Sequence, residues 1–176
     1  MRIIAGSRKG HRIDAPRGLA TRPTSDRVRE NVFNLVQAWV PDAVVLDLFA
    51  GSGAMGIEAL SRGAERAVLV ESHVEACRVI DRNLEKLHLT GAQVVCNDVV
   101  RFLAAETRTY DLIFCDPPYD EYAALEPALA RYVPRLLADD GLLVLETAAK
   151  TEPQLPLEQR TSRRYGAARI TLFYRE

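Results

Sequence analysis

From residue 43 onward the chain alternates two hydrophobic rhythms. Short, nearly continuous apolar runs stand at 43–50 (AVVLDLFA), 67–72 (AVLVES), 92–98 (AQVVCND), 110–116 (YDLIFCD) and 141–147 (GLLVLET). Each has the length of a strand and the composition of one buried on both faces. Between them, AMGIEALSRG (54–63), HVEACRVIDRNLEKLHL (73–89), VVRFLAAET (99–107) and EYAALEPALARYVPRLLADD (121–140) repeat apolar residues at helical spacing and stop at glycine or polar residues. Strand and helix in alternation predict an α/β fold, a mostly parallel sheet covered by helices on both sides. The rhythm changes at the end, where 158–166 (EQRTSRRYG) and 167–176 (AARITLFYRE) are strand-like and joined at Tyr165-Gly166 with no helix between them. They predict an antiparallel hairpin at one sheet edge. Ahead of the first strand, TSDRVRENVFNLVQAWV predicts an amphipathic helix capped by Thr24, Ser25 or Asp26, with Val28, Val32, Leu35, Val36 and Trp39 facing the core. Residues 1 to about 23 hold one short hairpin, around RIIAGSRKGHRI.

Length bounds this picture to one globular core, because 176 residues leave no room for a second full domain. No apolar run reaches the roughly 20 residues that span a bilayer, and MRIIAGSRKG lacks the apolar stretch of a secretory signal. The expectation is a cytoplasmic protein with no membrane partner. Cys77, Cys96 and Cys115 fall in apolar-periodic segments and read as small buried residues, while His11, His73 and His88 lack ligand spacing; no metal is expected. Charge adds a division that hydropathy does not show. Residues 1–40 carry eight Lys/Arg against three acids, whereas the whole chain has a net charge of −1. A basic N-terminal extension (1–40) for a polyanion, joined to a body at 41–176, is the reading.

The chemistry begins where the first strand ends. Gly51-Ser52-Gly53-Ala54-Met55-Gly56 has G-x-G-x-x-G spacing, which lets a strand turn into a helix while its free N–H groups face a ligand. Glu71, twenty residues on, ends the second strand where a carboxylate can grip ribose hydroxyls. Both a dinucleotide and S-adenosylmethionine fit such a turn. Asp47 favours the second, since a carboxylate there can organise the turn and hold an ammonium but repels a pyrophosphate; Asn97 and Asp98 end the third strand, where an acid can accept from an adenine amine or cap a helix. The fourth strand ends in Asp116-Pro117-Pro118-Tyr119. Two prolines stop sheet pairing and stiffen the loop, presenting the Asp116 carboxylate and the Pro117 carbonyl as two acceptors for the two hydrogens of a nucleobase amine, with Tyr119 to stack on the base. Such a base would have to be flipped out of its stack.

These residues resemble the class I S-adenosylmethionine-dependent methyltransferases of exocyclic amines. With RIIAGSRKGHRI, TRPTSDRVRENVFNLV and YGAARITLFYRE added, nearly the whole chain is similar to the RsmD family of 16S ribosomal RNA guanine-N2 methyltransferases. The resemblance implies a Rossmann-like class I fold with a seven-stranded sheet, a methyltransferase domain at 41–176, and direct in-line transfer to a guanine N2 in the helix 31 loop of 16S rRNA within an assembled or partly assembled 30S subunit, by a monomeric enzyme. Transfer to adenine N6 or cytosine N4 is the alternative. Carried onto this chain, it makes Asp116, Pro117, Pro118 and Tyr119 catalytic. It assigns the cofactor to Asp47, Phe49, Ala50, Gly51, Ser52, Gly53, Glu71, Ser72, Asn97, Asp98 and Val99, and RNA to Arg2, Arg8, Lys9, Arg12, Arg22, Arg27 and Arg29. Ala5 departs from the family pattern, which commonly has glycine there.

Overall fold

The computed structural model describes residues 1–16 and 25–175. Helix α1 (Asp26–Val36) starts where the Ser25 hydroxyl accepts the Val28 N–H at 3.2 Å, and gives way to a 3₁₀ turn at Gln37–Trp39. Then follow β1 (Val44–Leu48), α2 (Ala54–Ser61), β2 (Arg66–Glu71), α3 (Val74–Leu87), β3 (Ala92–Cys96), α4 (Val99–Ala105), β4 (Tyr110–Cys115), α5 (Tyr122–Leu136), β5 (Leu137–Ala148), β6 (Glu158–Tyr165) and β7 (Ala168–Tyr174). One seven-stranded sheet runs β3-β2-β1-β4-β5-β7-β6, parallel except that β7 is antiparallel to both β5 and β6. This is the seven-stranded Rossmann-like sheet that the resemblance implied, with the hairpin at the sheet edge.

Alternation along the strands divides the interior into two cores. Val45, Leu69, Phe114 and Val144 meet Val32, Phe33 and Val36 of α1, Ile57 of α2 and Ile80 of α3. On the other face Leu46, Val70, Ile113 and Leu145 meet Phe102 of α4 and Leu129 and Val133 of α5. Because both faces are covered, β1, β4 and most of β2 are buried, which is why they read as continuous apolar runs. Residues 1–16 are part of this packing: Ile3 and Ile13 are buried in the α1-side core, and the segment folds back through an Arg2–Arg12 antiparallel bridge.

Three sequence expectations need correction. The helix expected through residue 140 ends at Leu136, because Leu137 takes up extended backbone and pairs with Tyr110; both leucines are fully buried, one on helix and one on strand. Trp39 lies beyond the helix, half-buried, with its indole N–H on the Asp140 carbonyl and the Arg160 guanidinium 5.1 Å above its ring. Cys77 and Cys115 are buried, but Cys96 is exposed, since β3 is an outer strand and its end has no neighbour beyond it. Among the described residues no helix is long and apolar enough to cross a membrane, and no cluster could hold a metal.

Candidate active site

The sheet reverses its strand order between β1 and β4, so the helices that follow these two strands leave to opposite faces and open a crevice at their carboxyl ends. The register sets Leu48 beside Cys115, bringing the glycine turn and the Asp-Pro-Pro-Tyr loop to the same opening. Phe49 turns the chain with φ 62°, a left-handed conformation that a bulky residue holds only under constraint. Gly51 and Gly53 follow at φ 57° and 78°, and a side-chain carbon at Gly51 would meet nothing within 4 Å. The backbone there is open to a ligand. Gly56 has the opposite reason: a side chain on it would lie 2.7 Å from Leu69 Cδ2, so α2 rests directly on β2.

Two carboxylates hold the turn. Asp47 is 3% exposed and its Oδ2 accepts the Gly56 N–H at 2.8 Å. Burial raises its pKa to about 7; the Gly56 hydrogen bond opposes that, and the nearby charge of Glu71 adds to it. Glu71 accepts the Gly51 N–H at 2.8 Å through Oε2 and the His73 N–H at 2.9 Å through Oε1. Ser72 is exposed, with its hydroxyl 3.5 Å from that same Oε1. Ala50 and Ser52 are buried in the turn, Ala50 donating its N–H to the Val70 carbonyl at 3.0 Å. At the end of β3, Asp98 caps α4 by accepting the Arg101 N–H at 2.9 Å, Asn97 Oδ1 accepts the Asp98 N–H at 2.8 Å, and Val99 is buried. Asp47, Glu71, Asp98 and Asp116 thus stand within two residues of the carboxyl ends of four neighbouring strands.

At β4 the Asp116 N–H still reaches the Leu48 carbonyl at 3.4 Å, after which the prolines end the pairing; Pro117 is buried and Pro118 exposed. Tyr119 is 40% exposed and donates its hydroxyl to Glu146 Oε1 at 2.7 Å, fixing the ring against the end of β5. Burial pushes the Glu146 carboxyl up, and the Tyr119 hydrogen bond resists this. Glu146 escaped the sequence reading, although it is the polar residue that directly follows the apolar run 142–145.

The basic segment is fastened to the site. Buried Asn83 of α3 donates Nδ2 to the carbonyls of Asp14 (2.9 Å) and Ser52 (3.2 Å), and its Oδ1 accepts the Asp14 N–H at 2.8 Å. Glu58 of α2 accepts the N–H groups of Ile4 and Ala5 at 2.9 and 3.0 Å. Arg29, expected to touch RNA, is instead fully buried: it pairs with Asp26 at 2.9 Å and Glu58 at 3.7 Å and donates to the Arg2 carbonyl. Glu58 is paired inside the protein by Arg62 at 2.8 Å as well as by Arg29. Arg8 is partly committed as well, donating Nε to Leu87 O at 2.5 Å and Nη2 to His88 O at 3.2 Å at the end of α3. Arg2 is exposed and lies 3.5 Å from Asp26, and Lys9, Arg12 and Arg27 are exposed. Arg22 lies outside the described residues.

With this geometry in place, likeness to known proteins becomes informative. A family model described as "Conserved hypothetical protein 95", that of the RsmD proteins, matches residues 1–174. The chain belongs to the RsmD family. This RsmD-family chain is 43% identical to the Bacillus subtilis protein named "Putative rRNA methyltransferase YlbH" over 158 residues, covering 86% of the chain and 85% of that protein. It is 37% identical to the Escherichia coli ribosomal RNA small subunit methyltransferase D, covering 88% and 75% respectively. The solved Escherichia coli structure described as "Putative methyltransferase yhhF" superposes with a TM-score of 0.87 at 33% identity, covering 100% of the chain and 98% of that structure.

Proposed function

We propose that this RsmD-family chain methylates ribosomal RNA of the small subunit with S-adenosylmethionine, at the N2 of a guanine in the helix 31 loop of 16S rRNA in an assembled or partly assembled 30S particle. The observation that carries the reading is the meeting of the glycine turn after β1 and the Asp-Pro-Pro-Tyr loop after β4 at the strand reversal, in register through Leu48 and Cys115.

The residues fit the cofactor. Gly51 is open on its outer side, and the surrounding groups are acids suited to a cation and to ribose and adenine hydrogen-bond donors, whereas a pyrophosphate would face Asp47 and Glu71. S-adenosylmethionine supplies, when bound, a methyl group on a positively charged sulfur. Phe49, Ala50, Gly51, Ser52 and Gly53 would line it on the turn, with Asp47 behind them, while Glu71 and Ser72 take the ribose side and Asn97, Asp98 and Val99 the adenine side. The Asp116 carboxylate and the Pro117 carbonyl would accept the two N–H bonds of the target amine, turning its lone pair away from ring conjugation and stabilising the positive charge that grows on nitrogen. Pro118 keeps the loop stiff, and Tyr119, held at its hydroxyl by Glu146, offers a ring face to a flipped base. Arg2, Arg8, Lys9, Arg12, Arg22 and Arg27 would meet the RNA backbone.

The test is mass spectrometry of nucleosides from unmethylated 30S particles incubated with enzyme and isotope-labelled cofactor. N2-methylguanosine at one site, lost in Asp116→Ala while S-adenosylhomocysteine still raises Tm, is the expected result. Label on an adenine or cytosine amine would overturn the guanine assignment, and no label in any nucleoside would overturn the reading itself.

A further inference from the structure

The opposite flank of the site carries cations that the N-terminal division of charge did not anticipate. Lys150, Arg163 and Arg164 are exposed, and among the described residues none of them has a carboxylate within ion-pair distance. Their neighbours differ: Arg169 is bound to Glu152 at 3.2 Å and to Ser162, and Arg175 is 3.7 Å from Asp139. Lys150 follows β5 beside the β6–β7 turn that Arg163 and Arg164 lead into, because Ala149 donates its N–H to the Ala167 carbonyl at 2.8 Å. Tyr165 pairs with Ala168, and Gly166 turns at φ 63° with nothing within 4 Å of the position its side chain would take, so the turn projects into solvent.

That turn lies at the catalytic edge of the sheet. Ala168 pairs with Ala148, the last residue of β5, two positions beyond the Glu146 that holds Tyr119. From β4 to β6 are three strand spacings, roughly 14 Å at about 4.8 Å each. Arg163 pairs with Ile170 of the α1-side core and Arg164 with Arg169, so successive side chains straddle the strand and present charge on both faces. Of the N-terminal cations, Arg8 is anchored at the end of α3, the helix that packs on β2 and β3 beyond β1, while Arg2 lies by Asp26 of α1.

We propose that Lys150, Arg163 and Arg164 form a second RNA-backbone contact, so that the substrate strand is gripped on both sides of the target nucleotide. This rests on the rRNA methyltransferase reading and adds a separate surface to it. Free cations on an outer strand have a competing use, since charge on an edge strand prevents edge-to-edge pairing between copies. The two uses separate experimentally.

The variant is K150Q/R163Q/R164Q in the full chain, with R164Q alone as its milder companion and thermal melting as the check on folding. Binding to 30S particles and to a 16S rRNA fragment is measured by fluorescence anisotropy between 50 and 200 mM salt. The triple variant is expected to bind both at least about tenfold more weakly, with the slope of log affinity against log salt smaller by about 2, since each lost phosphate contact removes about 0.7–0.9. The KM for RNA rises, while kcat and S-adenosylhomocysteine affinity hold. An unchanged slope in a folded variant overturns the inference, and self-association in its place assigns the charges to edge protection. Weakened binding to particles but not to the RNA fragment also overturns it, because the contact would then be to ribosomal protein. A wild-type chain that binds RNA yet methylates no nucleoside defeats the methyltransferase reading alone.

Discussion

Asp47 ties the stability of the fold to pH in a way that one substitution can isolate. Its carboxyl is buried behind the glycine turn, and burial raises its pKa from 3.8 to about 7. A folded pKa above the unfolded value means that the folded state binds the proton more tightly, so the stabilisation is fully present below pH 3.8 and is lost as pH rises through about 7. Over the full window this amounts to about 4 kcal/mol, and between pH 5 and pH 8 to about 2–3 kcal/mol. Asp47→Asn keeps an acceptor for the Gly56 N–H and removes the proton. Urea unfolding at several pH values between 5 and 8 therefore yields two curves, and the difference between them, wild type minus variant, falls by about 2–3 kcal/mol toward pH 8. Groups that do not interact with Asp47 cancel in that difference, and Glu71, whose charge couples to it, is the exception. Parallel curves would refute the claim that burial raises the pKa of this carboxyl.

Asn83→Ala removes three hydrogen bonds from a fully buried site and strands the Ser52 carbonyl, at a cost of about 2–4 kcal/mol, or roughly 5–15 °C in Tm for a chain of this size. A loss under about 1 kcal/mol in chemical denaturation would mean that the basic segment is not held through Asn83. Gly6→Ala and Gly10→Ala make a matched pair: both positions have positive φ (84° and 83°), but an added carbon at Gly6 would lie 1.8 Å from the Ser61 carbonyl oxygen, while at Gly10 it meets nothing. Only Gly6→Ala should speed hydrogen exchange at Ser7, whose N–H donates to Ser61 O at 2.6 Å; equal exchange in the two variants would sink the contact.

The legible parts of this chain are those whose physics is local or repetitive. The strands β1, β2, β4 and β5 read as apolar runs because both faces are covered, and the glycine turn and the proline loop read because backbone constraints leave few alternatives. The α5–β5 boundary did not, since Leu136 and Leu137 are equally apolar and only pairing with Tyr110 assigns the second to the sheet. Arg29 sits in a basic run and has the composition of a surface residue; its burial depends on Glu58, 29 positions away on another helix, and no periodicity reports such a pairing. Asn83 failed for the same reason, as a polar residue in a polar-rich helix whose partners, Asp14 and Ser52, come from distant segments.

The separation of charge has its own consequence for how the proposed substrates would be told apart. Asp47, Glu71, Asp98, Asp116 and Glu146 gather negative or proton-poised groups at the strand ends, a setting that attracts a cationic cofactor and repels a phosphate backbone. A polyanion can approach such a centre only if cations beside it offset the repulsion, and exposed basic residues stand at the N-terminal hairpin and at the β6–β7 turn, among others on the surface. Under the proposed function the backbone would thereby be kept to the rim, and only an uncharged base would enter the acidic middle. Under the function proposed above, the net charge of −1 would conceal a sorting device, in which the acids would select the cofactor and the base while the cations would hold the strand. Added salt should then weaken RNA capture through the exposed rim far more than cofactor binding beside the buried Asp47, because screening acts most strongly on charges in solvent.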